Sequence, residues 1–170
     1  RRVLFRSDHR GASPNALSER ACRDSGLAAA TIAQLMHVAR EAAEAGAIPL
    51  RQMFGKLEGV REKGAAGNLV TEADLAAEAA VLEILAKATP EIPVLAEESG
   101  RRAGSGSLEW CVDPLDGTTN YAHGFPFFGT SVGLTWQGLP LLGALAVPVM
   151  EQLFWAAPGQ GAWCNSKPLR

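Results

Sequence analysis

An α/β domain is the fold class this sequence predicts, and three observations predict it. Two stretches of helical period lie between residues 27 and 88. Two short apolar runs follow, and each closes on a pair of carboxylates. The rest of the chain alternates β-like apolar runs with turn signals. The 170 residues are 47% hydrophobic and 20% charged, which is enough apolar material for a sizeable core. With a net charge of −2 and no basic run, neither a nucleic-acid polymer nor a membrane surface is expected as a partner.

Taken in order, residues 1–26 stand apart from the rest. Residues 2–7 read like a translated sequencing adapter, so the opening is set aside as artefactual. The polar segment that follows is expected to be disordered, leaving residues 27–170 as the domain; His9 and Cys22 receive no role. Residues 27–46 predict a helix with Leu27, Thr31, Leu35, Val38, Ala42 and Ala45 on its apolar stripe, and Gly46 as its stop. His37 has no second ligand residue at metal spacing and reads as a surface position. Residues 56–67 are charged and Gly-rich, a loop or hairpin. Thr71 followed by Asp74 resembles a capping box, so Asp74 is expected simply to cap. The second helix runs from there to about residue 88, with Leu75, Ala79, Leu82 and Ala86 on one face, and Pro90 ends it.

Residues 92–96 are a short buried strand running into Glu97, Glu98 and Ser99, and 99–107 a flexible Gly-rich loop. A second apolar run leads into Asp113-Pro114-Leu115-Asp116-Gly117-Thr118-Thr119-Asn120. Pro114 disfavours the α region for Asp113, which is expected to close the strand extended. Asp113 and Asp116 can then point into one space, with the Leu115 carbonyl as a third hard oxygen. Gly117 permits close backbone approach, and the amides of Gly117, Thr118 and Thr119 could open a helix toward the same space. Carboxylates holding Mg²⁺ beside free helix-start amides suit a phosphate; the same residues also suit a plain turn with Asp113 as a cap. Beyond it, residues 127–136 and 139–147 form a hairpin through Gln137-Gly138, and 152–157 and 162–164 are further strands. His123 reads as structural.

Cys22, Cys111 and Cys164 are widely spaced and fit neither a zinc pattern nor a disulfide framework, so a cytoplasmic location is expected. Residues 139–150, the longest apolar stretch, are broken by Pro140, Gly143 and Pro148 and are too short to span a bilayer.

Five segments in order resemble the inositol monophosphatase family of Mg²⁺-dependent, lithium-sensitive phosphatases. They are residues 63–74, Ala96-Glu97-Glu98-Ser99, residues 110–120, Phe125-Pro126-Phe127, and Gly161-Ala162-Trp163-Cys164-Asn165. The resemblance implies the layered α/β/α/β/α sandwich shared with fructose-1,6-bisphosphatase. It implies two or three Mg²⁺ ions, one held by Glu97, Asp113 and the Leu115 carbonyl and a second shared by Asp113 and Asp116. Thr118 would orient the attacking water. Asp116 and the Gly117, Thr118 and Thr119 backbone would meet the phosphate of a small substrate, and Glu98 would stand beside the metals. A homodimer is compatible with the family.

Two departures stand out. Asn68 occupies the position of a family aspartate that partners Thr118; an amide can hydrogen-bond a hydroxyl but takes no proton. The chain also stops before the family's C-terminal part, so it reads as an N-terminal fragment, inactive alone and with one sheet face bare. The alternatives are a phosphatase for a nucleotide 3',5'-bisphosphate, fructose-1,6-bisphosphate or histidinol phosphate, or a non-catalytic metal- or phosphate-binding module.

Overall fold

The computed structural model describes residues 13–55 and 72–169. Asn68, Thr71 and the loop expected at 56–67 lie outside the described residues.

The first element is a helix where disorder was expected. α1 (Pro14–Ser25) starts with the Ser13 hydroxyl accepting from the Ala16 amide at 3.2 Å and ends at Gly26, whose φ is +66°. A Ser cap, a proline at the first turn and a terminal glycine are ordinary helix punctuation, which the polar composition obscured. Its Ala21 is fully buried, and the Ser18 hydroxyl donates to the Leu141 carbonyl at 2.8 Å.

α2 (Ala29–Met53) runs through the glycine expected to stop it. A Cβ on Gly46 would lie 2.7 Å from methyl carbons of both Val81 and Thr130. Gly46 therefore lets the helix pack closely against Val81 and Thr130. Pro49 is carried in the last turn. Its buried residues include Leu35, Val38 and Ala42 of the expected stripe, together with Ile32, Met36, Ala39, Ala43, Gly46, Ala47 and Leu50; Thr31 and His37 are exposed.

α3 (Glu72–Ala88) buries a face turned away from Leu75 and Ala79, while Leu82 of the expected stripe is partly buried against the main core. Ala73, Asp74, Ala77, Glu78, Val81 and Leu85 turn inward, while Leu75 is 54% exposed. Counting Asp and Glu as outward residues reversed the reading. Here two acids share the buried stripe, four residues apart.

The sheet has eight strands in the order β2-β1-β3-β4-β5-β6-β7-β8. They are β1 (Val94–Ala96), β2 (Gly100–Arg102), β3 (Leu108–Asp116), β4 (Gly129–Trp136), β5 (Leu139–Val147), β6 (Gln152–Ala157), β7 (Gly161–Cys164) and β8 (Lys167–Pro168). β2 lies in the expected loop and pairs antiparallel to β1 at the sheet edge. Only β1 and β3 are parallel among these strands. The β4–β5 hairpin turns through Gln137 and Gly138, both at positive φ, which matches the right-handed twist of the strands.

One face of the sheet meets the helices. Trp110, Val132, Leu134 and Ala144 pack there with Ile32, Met36, Ala39 and Val81 in the main core. The Trp110 indole N–H is satisfied by the Thr89 hydroxyl at 3.0 Å. A second cluster of Leu50, Ala73, Ala77, Leu115, Tyr121 and Phe128 sits beneath the acidic residues. Burial pushes the Tyr121 phenol up to about 12, and it stays a donor to the Leu50 carbonyl at 2.9 Å. Cross-strand pairing aligns Asp113, Ser131, Leu145, Phe154 and Cys164 on the other face. A shallow groove of about 310 Å³ runs along that face. The described residues thus supply a helical layer and a sheet layer.

Candidate functional site

Strand pairing brings the two acidic ends together. β1 and β3 run parallel in register Ala96↔Val112, so Glu97 follows one strand where Asp113 continues the other. The Glu97 amide donates to the Val112 carbonyl at 3.1 Å, extending the ladder one step past β1. Side chains just beyond the carboxyl ends of parallel strands are where α/β sheets gather ligands.

Contrary to expectation, Asp113 does not close its strand; β3 continues to Asp116 through a bulge. Asp113 pairs with Ser131 and Asp116 with Gly129, so Pro114 and Leu115 together oppose Thr130 alone. Proline has no N–H to give the ladder, which makes this a natural place for the extra residue. Strand side chains alternate, so residues three apart would face opposite ways; one inserted residue returns Asp116 to the face of Asp113. The buried Thr130 hydroxyl fixes the bulge by donating to the Pro114 carbonyl at 2.9 Å.

Gly117, at φ +89°, turns the chain into the short helix α4 (Thr118–Ala122), and no side chain caps its start. The first-turn amides therefore remain available beside Asp116. The Thr118 hydroxyl donates to the Leu115 carbonyl at 3.0 Å, joining the residue expected to orient water to the carbonyl expected to bind metal. Thr119 is exposed, and its carbonyl meets His123 Nδ1 at 2.8 Å. His123 therefore sits at the end of α4, against its last turn.

α3 adds two carboxylates that the sequence reading left out. Asp74 and Glu78 are only 4% and 5% exposed. Glu78 accepts from the amides of Glu98 and Ser99, each at 3.0 Å. Asp74 is pushed up to about 7 by burial first, then by Glu98, Glu97 and Glu78. It is a member of the acidic cluster, not a bare helix cap. Glu98 is raised as well, by burial and by Glu97 and Glu78.

Asp113 carries a matching signature. Burial lifts its carboxyl to about 7, with Glu97, Asp116 and Asp74 adding to the rise. Its Oδ1 is buried without a hydrogen-bond donor, while the side chain meets the Glu97 carboxyl. Two carboxylates both accept, so such a contact needs a shared proton or a cation between them. Among the described residues, no three Asp, Glu, His or Cys side chains close on one point. Two carboxylates and one carbonyl fit a hard cation that keeps part of its water shell, as Mg²⁺ does. Beside this cluster, a depression of about 510 Å³ opens at Asp116 and Gly117, walled by Phe127, Leu145, Met150 and Phe154.

These raised carboxyls carry a pH signature. Asp74 and Asp113 rise from 3.8 to about 7 on folding. Between those values the unfolded chain loses protons that the folded chain keeps, so stability falls as pH rises and the loss is complete above about 7. Thermal unfolding in chelator is expected at a lower temperature at pH 8 than at pH 5. Saturating Mg²⁺ should flatten that slope, because a cation favours the ionised carboxylates. A flat slope in chelator would mean that the acids are not crowded.

A bulged acidic strand, a parallel neighbour ending in glutamates and a short helix opening beside both lie together on a mixed α/β sheet. A sequence profile of the inositol monophosphatase family matches residues 31–170, and the chain belongs to that family. It is 42% identical over 136 residues to an inositol-1-monophosphatase of Synechocystis, covering 79% of this chain and 47% of that one. A fructose-1,6-bisphosphatase/inositol-1-monophosphatase of Aquifex aeolicus is 39% identical, covering 79% and 52%. The solved inositol monophosphatase from Anabaena superposes with a TM-score of 0.71 at 38% identity, covering 82% of this chain and 50% of that one. The chain thus spans about half the length of the relatives it matches.

Proposed function

We propose that the complete protein is a Mg²⁺-dependent phosphomonoester hydrolase of inositol monophosphatase type. The observation that carries this reading is the Glu97–Asp113 carboxyl contact with its orphaned Oδ1, set beside Asp116 and the start of α4. Glu97, Asp113 and the Leu115 carbonyl would hold one Mg²⁺, and Asp113 and Asp116 would share another. Bound Mg²⁺ offsets the repulsion between these acids and a phosphate dianion and lets water attack near neutral pH. The Thr118 hydroxyl, tethered 3.0 Å from the Leu115 carbonyl, orients that water. Asn68 would assist by hydrogen bonding alone. The amides of Gly117, Thr118 and Thr119 receive the phosphate oxygens, with Asp116 at its edge. Glu98 adds negative charge beside the metals without binding them.

The substrate is a small phosphate ester. The Aquifex relative's name supports assaying fructose-1,6-bisphosphate alongside an inositol monophosphate. Among the described residues no helix is long and apolar enough to cross a membrane. Three unpaired thiols support a cytoplasmic setting.

The test is phosphate release by the complete protein. Release is expected with Mg²⁺, to stop in chelator, and to be inhibited by lithium on the millimolar scale the family resemblance implies. Full activity in chelator would overturn the metal reading; metal binding without any release would leave a binding module.

A further inference from the structure

We infer that Glu78 is a positioning residue that fixes the metal-facing direction of Glu97 by clamping the turn that follows it. The inference rests on the reading of Glu97 as a metal ligand. Glu97 stands one residue past β1, where the strand ladder ends. Its own amide is held by β3 through the Val112 carbonyl at 3.1 Å. The next two amides are held from the opposite side, by α3. Glu78 Oε2 accepts from the Glu98 N–H and Glu78 Oε1 from the Ser99 N–H, each at 3.0 Å. The backbone is thus fastened at three consecutive residues, 97, 98 and 99. Without the α3 clamp the turn would be tied down on one side only.

The residue type points the same way. Each amide meets its own oxygen, and among side chains only a carboxylate offers two separate acceptor oxygens. A glutamine would present an NH₂ to one of the N–H groups. Yet Glu78 is 5% exposed and places another negative charge beside Asp74 and Glu98, whose carboxyls it helps to raise. An acid buried among acids is unfavourable for folding alone. Its two charge-assisted bonds to backbone N–H groups offset part of that cost and fix the geometry of a neighbouring ligand.

Two variants of the complete protein, Glu78→Gln and Glu78→Ala, are compared with wild type by Mg²⁺ calorimetry and by amide hydrogen exchange. Both are expected to bind Mg²⁺ on the order of 10–100-fold more weakly, the usual effect of losing a group that orients a ligand. Exchange should accelerate at one of the Glu98 and Ser99 amides in Glu78→Gln and at both in Glu78→Ala. If Glu78→Ala fails to fold, Glu78→Gln decides by the same two readouts. Unchanged Mg²⁺ affinity would overturn the inference. So would weaker binding with both amides still protected, since that is an effect of charge and not of position. A wild-type protein that binds no Mg²⁺ would remove the metal reading itself, and this inference with it.

Discussion

Asp113→Asn is expected to abolish phosphate release and to raise the stability of the metal-free protein. The two effects have one origin. The Asp113 carboxyl is lifted to about 7 by burial and by Glu97, Asp116 and Asp74, and its Oδ1 finds no donor. In the proposed site that tension is what a shared cation relieves. An amide of the same shape removes the charge, so Mg²⁺ loses the ligand common to both ions. Turnover should fall by at least the roughly 10²–10³-fold seen when one electrostatic stabiliser of a transition state is removed. Without metal, the amide offers the neighbouring carboxylate an N–H instead of a second acceptor. The melting temperature in chelator at pH 8 should therefore rise; in a domain of this size about 2–4 °C corresponds to each kcal/mol. Mg²⁺ affinity by calorimetry and melting with and without chelator check both halves. An unchanged affinity removes Asp113 from the metal site. A lower melting point in chelator would show that its carboxylate is structurally satisfied after all.

The acidic end of β1 was legible because an apolar run stops at Glu97-Glu98, and that of β3 because Gly117 follows Asp116; hard oxygens at such spacing have few other uses. The bulge was not, because it depends on which β4 residue opposes each β3 residue; it makes Asp113 and Asp116 neighbours on one face. α3 misled for a related reason. Periodicity assigns Asp and Glu to water, whereas burial of Ala73, Ala77, Val81 and Leu85 in the two apolar clusters turns the Asp74–Glu78 face inward. Gly46 illustrates an ambiguity of glycine, which ends helices and also permits close approach; Val81 and Thr130, distant in sequence, decide between the two. β2 is only three residues long and owes its strand character to pairing with β1. Asn68 rests on sequence alone.

Gly117→Ala is expected to lose both stability and catalysis, and Gly124→Ala separates the causes. Both glycines sit at positive φ, +89° and +71°. An L-residue there costs on the order of 1–2 kcal/mol. Gly124 has open space where a Cβ would go, so that strain is its whole penalty. At Gly117 the new Cβ would lie 3.0 Å from the Phe127 carbonyl oxygen and 3.3 Å from Phe128 Cα. Those are backbone atoms and do not swing aside, and the Asn120 amide ties the same Phe127 carbonyl at 2.7 Å. The clash adds roughly 1–3 kcal/mol, as overpacking does elsewhere. Relief comes most easily by shifting α4, which carries the Thr118 hydroxyl and the amides proposed to receive phosphate. A displacement near 1 Å in such groups costs about 10²-fold in rate. Urea unfolding should therefore rank wild type above Gly124→Ala above Gly117→Ala, while phosphate release falls about 10²-fold only in Gly117→Ala. If Gly117→Ala turns over like wild type, the start of α4 does not hold the phosphate, and the donors must be sought elsewhere in the protein.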